Sequence, residues 1–426
     1  ASRMAWALGA ESLDELSRRM EKFLQLELPR GVAGHLQRLG DLLRIVKARP
    51  VLVGDPPCQE VVETRNPTLA EVPVLQCWPG DAGPYITLPL VITRDPVTGR
   101  RNVGMYRLQV FDERTLGVHW QRHKGGREHE DAARGAGQER LEVAVALGGD
   151  PATIYAATAP LPSGVDELLF AGWLRGEGVE LARCLTVDLE VPAHAEIVIE
   201  GEVLPDKIAP DGPFGEYPGY RSGTMASGIA VKVKAITYRH NPILTMIALG
   251  TPPDDSSIAA SLTAAVAMKK GLMRHGVPVV DVYVPPEGVT HLIVVGVKRG
   301  GEEVARKVLD YFTLRRVMTN KHIVVDEDVD VFNMAEVLHA FATRCHPGKG
   351  IFLEHYEGRA NSLTPFYSPE ERSRLKGVSV VFDSTWPPAW PEEIVPIKAS
   401  FKTIYSPEVQ EKVEKNWESY GINLGR

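Results

Sequence analysis

Apolar residues near the start of the chain recur at the spacing of a helix. Five of them fall on one helix face: Leu13, Leu16, Met20, Phe23 and Leu24. A second apolar series runs from 36 to 46, and the Pro-Arg-Gly at 29–31 interrupts the pattern between the two. The pattern therefore predicts two helices within residues 11–48.

From about 88 to 238 the pattern changes to short, β-branched segments that are bounded by turn residues. Four segments show this most clearly: 90–93, 141–147, 195–200 and 229–234. Such a series predicts a β-barrel-like domain, with helices inserted around 151–157 and 164–169.

The pattern of apolar and polar residues changes again after residue 255. A long apolar-rich helix is predicted at 257–275, as a connector between domains. Beyond it, apolar strands alternate with helices: 279–284, 292–297, 301–314, 323–325 and 334–343. This alternation predicts a parallel α/β layer. An isolated amphipathic helix at 406–420 has little chain left to pack on, so we expect it to dock on a partner subunit.

Length and composition narrow the class of protein. A chain of 426 residues is too long for one ordinary core, so two or three domains are expected. The net charge is −7 and no Lys/Arg block occurs, which argues against nucleic acid and anionic membranes as partners. The longest apolar runs, such as 292–297, are far too short to span a bilayer.

The cysteines and the first residues indicate a compartment. Four cysteines are scattered without a Cys-x-x-Cys pair, which argues against a zinc ribbon or a disulfide scaffold. The start of the sequence lacks the apolar core of a signal peptide. We therefore expect a cytoplasmic protein.

Candidate chemistry concentrates between residues 102 and 126. Asn102 offers a neutral oxygen ligand, Arg107 a fixed cation, and His119 and His123 two imidazoles. The Lys-Gly-Gly at 124–126 is a weak anion-binding signal, since glycines let backbone N–H groups approach a phosphate. It is not a Walker loop, and an ordinary turn explains it equally well.

A carboxylate at Glu200 or Glu202 could complete a metal site with Asn102 and an imidazole. Asn, His and Glu together suit octahedral Mg²⁺ or Mn²⁺ with positions left open for phosphate oxygens, and they suit structural zinc poorly. The segment is therefore consistent with a phosphate-bearing cofactor that is held through a metal ion.

Three acidic segments allow two interpretations each. Glu216 lies in a loop rich in glycine and proline, which either closes a hairpin or carries function. Asp254 and Asp255 directly precede the predicted connecting helix, so helix capping comes ahead of acid catalysis on spacing alone. The acidic run at 326–330 lacks the Gly and terminal Glu of an EF-hand and is better explained as a loop after a buried strand.

An ordered series of segments resembles the UbiD family of (de)carboxylases, which use prenylated FMN. The matching segments are 83–87, 102–126, 148–152, 196–201, 212–216, 250–254 and 326–332. The first 50 or so residues match poorly and are shorter than the usual N-terminal region of the family. Each segment alone is a weak signal, and their order along the chain carries the resemblance.

The resemblance implies a mixed α/β architecture of four parts. It implies an N-terminal α/β region at 1–90, a split β-barrel like that of flavin reductases at 91–250, a connecting helix at 251–276 and an α/β oligomerisation domain at 277–426. It also implies a homo-oligomer, either a dimer or a hexamer.

The resemblance further implies roles for individual residues. The family's metal ligands, which hold Mn²⁺ or Mg²⁺ and often K⁺ on the cofactor phosphate, match Asn102, His123 and Glu200. Arg107 matches the catalytic arginine, its acidic partner falls at Asp254 or Asp255, and Glu216 stands in for the second acid. The segments that contact the cofactor match Met105, Tyr106, Arg107, His119, Trp120, Gln121, Lys124 and Gly125.

The implied reaction is the reversible, non-oxidative decarboxylation of an aromatic, heteroaromatic or α,β-unsaturated acid. It passes through a covalent adduct with prenylated FMN, releases CO₂ and depends on a flavin prenyltransferase to supply the cofactor. Losing CO₂ from such acids leaves a high-energy carbanion, and no side chain offers the electron sink that a modified flavin does.

Three alternatives remain open from the sequence. A plain flavin oxidoreductase on a split barrel is disfavoured because no Gly-x-Gly-x-x-Gly follows a strand and a metal trio would have no purpose. A non-enzymatic metal- or phosphate-binding oligomer is the second, and a partner-dependent carboxylase subunit of the same family is the third. The particular acid and the physiological direction are left open.

Overall fold

The computed structural model describes residues 2–24, 39–120, 125–159, 161, 164–314, 319–361 and 363–421. These residues form an N-terminal α/β layer, a central curled sheet, a connecting helix and a C-terminal α/β layer, which confirms the mixed α/β class. No helix among them is both long and apolar enough to cross a membrane. The predicted domain boundaries at 90, 250 and 276 stay predictions.

The N-terminal layer packs helices beside a small sheet. Its helices are Ser2–Ala7, Leu13–Leu24, Leu39–Lys47, Pro151–Ala156 and Glu167–Arg175. Its three strands are β1 (Val51–Leu52), β9 (Glu180–Arg183) and β10 (Glu190–Pro192), numbered by their order along the whole chain. The layer therefore draws on residues 151–192 as well as on the start of the chain.

The first predicted helix is confirmed, and its apolar face explains its position. Leu16, Met20 and Phe23 are buried, and the ring of Phe23 lies 4.9 Å from Phe170 and 5.8 Å from Trp173 between centroids. Burying such an amphipathic face stabilises a helix more than its intrinsic propensity does. The predicted break at 29–31 lies outside the described residues.

The central sheet has nine strands, eight of them in the order β3-β6-β7-β12-β11-β8-β4-β5, with β2 paired to β12. Their bounds are β2 (Val61–Glu63), β3 (Tyr85–Ile86), β4 (Pro89–Arg94), β5 (Arg101–Gly104), β6 (Leu108–Asp112), β7 (Thr115–His119), β8 (Leu141–Leu147), β11 (Ile197–Asp211) and β12 (Met225–Tyr238). All of these pairings are antiparallel.

The chain connectivity shows why this sheet curls. β3 lies at one end of the strand order and β4 near the other, yet only residues 87 and 88 separate them along the chain. Likewise only 105–107 separate β5, at the far end, from β6. Two or three residues span about 10 Å at most, so the two ends of the sheet must come close together. The predicted barrel is thus present, with a seam that 105–107 crosses.

Two strands of this sheet, β4 and β8, and the first part of β11 are buried on both faces. Along β4, Leu90 and Ile92 pack with the helices of the N-terminal layer, whereas Val91 packs inside the curl. The same alternation holds along β8 and β11, where Val198 faces the helices and Ile197 and Ile199 face inward. Side chains that alternate along a strand therefore serve two different hydrophobic cores.

The connecting helix runs from Asp255 to Arg274 and leads into a five-stranded sheet of order β13-β14-β15-β17-β16. The strands are β13 (Val279–Tyr283), β14 (Leu292–Val297), β15 (Lys321–Asp326), β16 (Ile351–Tyr356) and β17 (Gly377–Ser384). Further helices are Glu302–Thr313, Met334–Arg344, Pro369–Arg374, Phe401–Ile404 and Pro407–Lys415, with short 3₁₀ turns at Pro57–Gln59, Leu69–Glu71, Pro286–Gly288, Glu392–Ile394 and Trp417–Tyr420.

The expectation of an all-parallel layer was wrong at the edges of this sheet. β14, β15 and β17 are parallel, whereas β13 and β16 each pair antiparallel with their neighbours. β16 and β17 were not predicted at all. The acidic run that starts at Asp326 does follow a buried strand, and the Asp326 carboxylate accepts hydrogen bonds from the backbone N–H groups of Gly300 and Trp386. The C-terminal helix has no buried residue, and its docking on a partner stays a prediction.

Candidate active site

A helix that the sequence did not predict begins at Gly125 and ends at Gly135. Its buried residues, Gly126, His129, Glu130 and Ala133, recur at helical spacing, but most are small or polar. A search for apolar periodicity cannot detect such a face. The two glycines thus stand at a helix start, where free backbone N–H groups favour an anion.

Asn102, Tyr106, Trp120, Gly125 and Gly126 meet at this helix start, and we call them the glycine corner. A Cβ atom on Gly125 would lie 1.9 Å from Oδ1 of Asn102, and one on Gly126 would lie 2.7 Å from Nε1 of Trp120. The Tyr106 hydroxyl accepts hydrogen bonds from the Gly126 N–H at 3.3 Å and from Nδ2 of Asn102 at 3.4 Å. Only glycine fits at these two positions.

Glu167 lies beside the glycine corner and was not singled out from the sequence. Its Oε2 accepts a hydrogen bond from the Val103 N–H at 3.2 Å, next to Asn102. Burial raises the pKa of the Glu167 carboxyl, which only backbone donors and Arg101 offset. The one signal in the sequence was its place at the start of an apolar helix, which is also where carboxylates commonly stabilise the helix dipole.

Glu200, the carboxylate first expected beside Asn102, lies elsewhere. Glu200 on β11 pairs with Ala144 on β8, and the same cross-strand row continues through β4 to Val103 on β5. Three strand spacings therefore separate Glu200 from β5. Residues paired directly across strands share a face and successive residues alternate, so Glu200 and Asn102 face opposite sides of the sheet. The structure therefore places Glu167 at the backbone N–H that follows Asn102 and places Glu200 on the opposite face of the sheet. Glu200 as a metal ligand stays a prediction.

The Glu200 carboxylate also has other partners. It is fully buried and accepts hydrogen bonds from the backbone N–H groups of Leu185 and Thr186 and from the Thr186 hydroxyl, at 2.6 to 3.0 Å. Such bonds hold the turn between β9 and β10 in place. Glu200 thus has a structural explanation that spacing could not reveal.

Three predicted site residues, Gln121, His123 and Lys124, lie outside the described residues. Among the residues that the structure does describe, no three His, Cys, Asp or Glu side chains come together in a way that could hold a metal ion. Asn102 at the glycine corner and Glu167 beside it both carry side-chain oxygens. In the sequence, His123 lies two positions before Gly125, the first residue of this helix.

Arg107, His119, Asp211 and Glu216 form a second group, which we call the arginine cluster. The guanidinium contacts Asp211 through two bonds, Nε to Oδ1 at 3.3 Å and NH2 to Oδ2 at 2.5 Å, and its NH1 lies 2.8 Å from Oε1 of Glu216. His119 Nδ1 lies 3.0 Å from Asp211 Oδ2. These four side chains are 4 to 11% exposed, so water screens their charges little.

Strand ends bring the arginine cluster together. Arg107 directly precedes β6, His119 ends β7 and Asp211 ends β11. β6, β7, β12 and β11 follow one another as antiparallel strands, so the start of β6 and the ends of β7 and β11 lie at the same end of the curled sheet. The Arg107 guanidinium also packs on Phe214, at 4.7 Å from the ring centroid.

The pKa values of the two carboxyl groups of the cluster are shifted in opposite directions. Burial raises the pKa of Glu216, and the charge on Arg107 offsets this only in part. Burial opposes ionisation of Asp211 too, but the hydrogen bond from His119 and the charge on Arg107 outweigh it and hold the pKa of Asp211 below its ordinary value. One fixed cation thus stands between an ionised carboxylate and one that retains a proton more readily, an arrangement typical of acid–base sites.

The loop that carries Glu216 is held on several sides. The Tyr85 hydroxyl accepts from the Gly212 N–H at 2.9 Å, and Asp81 Oδ1 accepts from the Gly215 N–H at 3.0 Å. Within the loop, the Glu216 N–H donates to the carbonyl of Tyr220 at 2.9 Å. These bonds fix the backbone from which Glu216 reaches Arg107.

Asp254 and Asp255 lie at the start of the connecting helix, and their surroundings there explain them. The Asp254 side chain accepts from the Ser257 N–H at 2.7 Å in a capping box that starts the connecting helix. Asp255 is the first residue of that helix and is exposed. A cap of this kind stabilises a helix by about 1 kcal/mol. The carboxylates that pair with Arg107 are instead those of Asp211, which the sequence analysis missed, and Glu216. The acid role of Asp254 or Asp255 stays a prediction.

The glycine corner and the arginine cluster are adjacent along the chain. Residues 105–107 cross the seam of the curled sheet, with Tyr106 in the first group and Arg107 in the second. The Met105 N–H donates to the carbonyl of Ala157 at 3.3 Å and so ties this crossing to the N-terminal layer. A glycine-containing helix start and a buried group of charged side chains are thereby placed next to each other.

Two domain models of one known protein family match most of the chain. The Rift-related domain of the 3-octaprenyl-4-hydroxybenzoate carboxy-lyase family UbiD matches residues 50–252, and its C-terminal domain matches 257–384. An uncharacterized protein of Archaeoglobus fulgidus is 41% identical over 354 residues, which are 82% of this chain and 72% of that protein.

Solved structures extend the likeness to the fold. The UbiD-class enzyme HmfF from Pelotomaculum thermopropionicum in complex with FMN superposes with a TM-score of 0.79 at 28% identity, over 94% of this chain and 84% of that one. Vanillic acid decarboxylase from Sedimentibacter hydroxybenzoicus in its closed form gives 0.79 at 26% identity, over 99% and 85%. With both family domains present in order, the chain belongs to the UbiD family and is a carboxy-lyase.

Proposed function

We propose that this protein catalyses the reversible, non-oxidative decarboxylation of an aromatic, heteroaromatic or α,β-unsaturated carboxylic acid with prenylated FMN. The observation that carries the proposal is the buried Arg107 between Asp211 and Glu216, whose pKa values are shifted apart. HmfF, the relative that binds FMN, has also been solved with prFMN in an evolved dimeric form, which supports the choice of cofactor.

The glycine corner fits the phosphate end of such a cofactor. Because Gly125 and Gly126 lack side chains, Asn102 and Trp120 approach the first turn of a helix closely, and helix starts favour anions. Trp120 Nε1 is buried and has no hydrogen-bond partner among the described residues, so a donor is available there. Tyr106 and Met105 lie on the segment that joins this corner to the arginine cluster.

A divalent cation fits the same corner. Asn102 and Glu167 offer hard oxygen ligands of the kind that Mn²⁺ and Mg²⁺ take, and we propose that they bind it together with His123. The cation would neutralise the cofactor phosphate and hold it at the helix start. K⁺ as a second ion and Gln121 and Lys124 as cofactor contacts are part of the same proposal.

The roles of the side chains follow from their positions. When bound, a prenylated flavin supplies the electron sink that the side chains lack. Arg107 orients the substrate carboxylate by charge-assisted hydrogen bonds, and Asp211 with His119 keeps the guanidinium in place. As the bond to the carboxyl carbon breaks, its electron pair stays on the substrate carbon, and the Glu216 carboxyl donates the proton that replaces CO₂.

The decisive experiment is reconstitution. The protein, produced together with a flavin prenyltransferase and supplied with Mn²⁺, is expected to carry prenylated FMN by intact-cofactor mass. It is then expected to release CO₂ from members of a panel of hydroxybenzoates, heteroaromatic carboxylates and cinnamate-like acids. Fully loaded protein that releases no CO₂ from any of them, and incorporates none in the presence of bicarbonate, would contradict the proposal.

The metal assignment predicts a contrast between two buried glutamates. Glu167→Gln is expected to weaken Mn²⁺ binding to FMN-loaded protein by at least about 10-fold, because it removes an anionic ligand. Glu200→Gln is expected to leave Mn²⁺ affinity unchanged and to lower the unfolding temperature, because it weakens the bonds to 185–186. Titration followed by electron paramagnetic resonance measures the affinity. The reverse pattern would restore Glu200 as the ligand.

Assembly and compartment complete the proposal. We propose a cytoplasmic homo-oligomer, a dimer or a hexamer, whose partner copies pack on the exposed C-terminal helix. The four cysteines are unpaired in the structure, which agrees with a reducing compartment. Sedimentation of the purified protein measures the oligomeric state.

A further inference from the structure

The loop that carries Glu216 also reaches the C-terminal layer. Nδ2 of Asn361 donates a hydrogen bond to the Tyr217 hydroxyl at 2.6 Å. Asn361 lies between β16 and β17, so this contact joins residues 144 positions apart in the chain. Tyr217 is the immediate neighbour of the proposed proton donor.

The geometry of the contact is well defined at both ends. Asn361 Oδ1 accepts from the Leu363 N–H at 2.9 Å, which fixes the amide so that its Nδ2 faces Tyr217. The Tyr217 ring is tilted against His291, which directly precedes β14, with 6.0 Å between ring centroids. Burial raises the pKa of the Tyr217 hydroxyl, which is therefore neutral and able to accept this bond at physiological pH.

The remaining contacts of the loop come from other parts of the chain. A Cβ atom on Gly215 would lie 2.5 Å from Trp78, whose Nε1 donates to the Leu249 carbonyl at 2.7 Å. One on Gly219 would lie 3.2 Å from the backbone of Thr251. These contacts hold the loop against the barrel and the segment before the connecting helix, whereas Tyr217 holds it against a separate layer.

We propose that Tyr217 and Asn361 form a latch that positions Glu216 for proton transfer, so that the C-terminal layer takes part in the reaction without touching the substrate. The inference rests on the proposed function of Glu216. One peptide unit joins Tyr217 to Glu216, so movement of the tyrosine is passed directly to the carboxyl. Displacement of a reacting group by about 1 Å costs up to about 100-fold in rate.

The latch is tested by removing either half. With prenylated FMN bound and the best acid of the reconstitution panel as substrate, Tyr217→Phe and Asn361→Ala are each expected to lower kcat about 10- to 100-fold with KM unchanged. The double variant is expected to lose no more than one single variant, because both remove one interaction. Tyr220→Phe, on the same loop with 67% of the residue exposed, is the matched control and is expected to match the wild type.

The pH profile separates positioning from a general structural role. Arg107, His119 and Asp211 face Glu216 and stay in place in both variants, whereas a looser loop admits water to the carboxyl. Its raised pKa would then move down toward the ordinary value, so the alkaline limb of the decarboxylation profile should shift to lower pH. A fall in kcat without that shift, or a rise in KM alone, would overturn the latch.

Hydrogen exchange provides a readout that needs no turnover. The N–H groups of Glu216, Gly219 and Ser222 are bonded within the loop, and we expect all three to exchange faster in both variants but not in Tyr220→Phe. Unchanged exchange would overturn the latch even in an active enzyme. If the wild type turned over no acid, the proposed function would fail, and exchange at 212–222 would still decide whether the two layers are coupled.

Discussion

Replacing Arg107 by methionine is expected to reduce decarboxylation by at least about 100-fold while prenylated FMN stays bound. The guanidinium is the fixed positive charge of a site that is almost closed to water, and removing one such stabilising group from a preorganised site typically costs 100-fold or more. Methionine keeps most of the volume over Phe214 but offers no donor. Rates per bound cofactor, measured under saturating substrate, check this expectation.

The same variant should show a stability defect that depends on pH. Without the cation, the pKa of Asp211 rises and that of Glu216 rises further, since burial is then opposed only by His119. Acids whose folded pKa lies above the unfolded value contribute full stability only at low pH and lose it as pH rises through the folded value. The loss relative to wild type should therefore be small near pH 4 and reach about 3 kcal/mol above neutrality.

Arg344→Met is the matched control for this variant. Arg344 is 5% exposed and forms a two-bond ion pair with Asp328, but that carboxylate is 46% exposed and keeps its hydration when the arginine is lost. We expect Arg344→Met to lower the unfolding temperature without loss of rate. If Arg107→Met kept full activity, the arginine cluster would not be the reacting centre.

Glu216→Gln is expected to lower turnover by about 100- to 10,000-fold, the range for loss of a general acid. Glutamine keeps the shape and the contact with Arg107 but cannot deliver a proton. In the wild type, decarboxylation should fall as pH rises through the raised pKa of Glu216, and should also fall as pH drops through the lowered pKa of Asp211. Loss of the alkaline limb in the residual activity of Glu216→Gln would identify the titrating group.

Asp255→Asn separates this assignment from the one that the family resemblance implied. Its side chain is exposed at the first position of the connecting helix, so near wild-type turnover is expected. An inactive Asp255→Asn enzyme beside an active Glu216→Gln enzyme would return the acid role to the segment before the helix. Far-ultraviolet circular dichroism of both variants confirms that the fold is retained.

The contiguous part of the site could be predicted from the sequence, and the part that depends on sheet order could not. Asn102, Tyr106 and Arg107 lie within six residues on one crossing segment, so their proximity follows from the chain itself. Whether Glu167 or Glu200 joins Asn102 depends on which strand lies next to β5 and which face each carboxylate takes. Neither the strand order nor the face that a carboxylate takes can be inferred from residue spacing along the chain.

Asp211 and Glu216 show the same limit of prediction from sequence. Asp211 and Glu216 bracket a Gly-Pro-Phe-Gly turn, and their five-residue separation was visible in the sequence. Only the fold shows that both carboxylates face Arg107, because it brings the end of β11 to the same end of the sheet as the start of β6. In the C-terminal layer, β16 and β17 escaped prediction because a Pro- and Gly-containing loop separates them and their alternation includes exposed apolar residues such as Leu353.

The strands that are buried on both faces bear on how new specificities can arise in this protein. In most half-buried strands, every second position is free to vary, and mutational tolerance alternates along the strand. Along β4, β8 and the first part of β11 neither set of positions is free, because one fills the interior of the curl and the other supports the helices. Divergence and directed evolution are thereby directed away from these strands and toward the segments that join the strands of the sheet, such as 78–83 and 212–222.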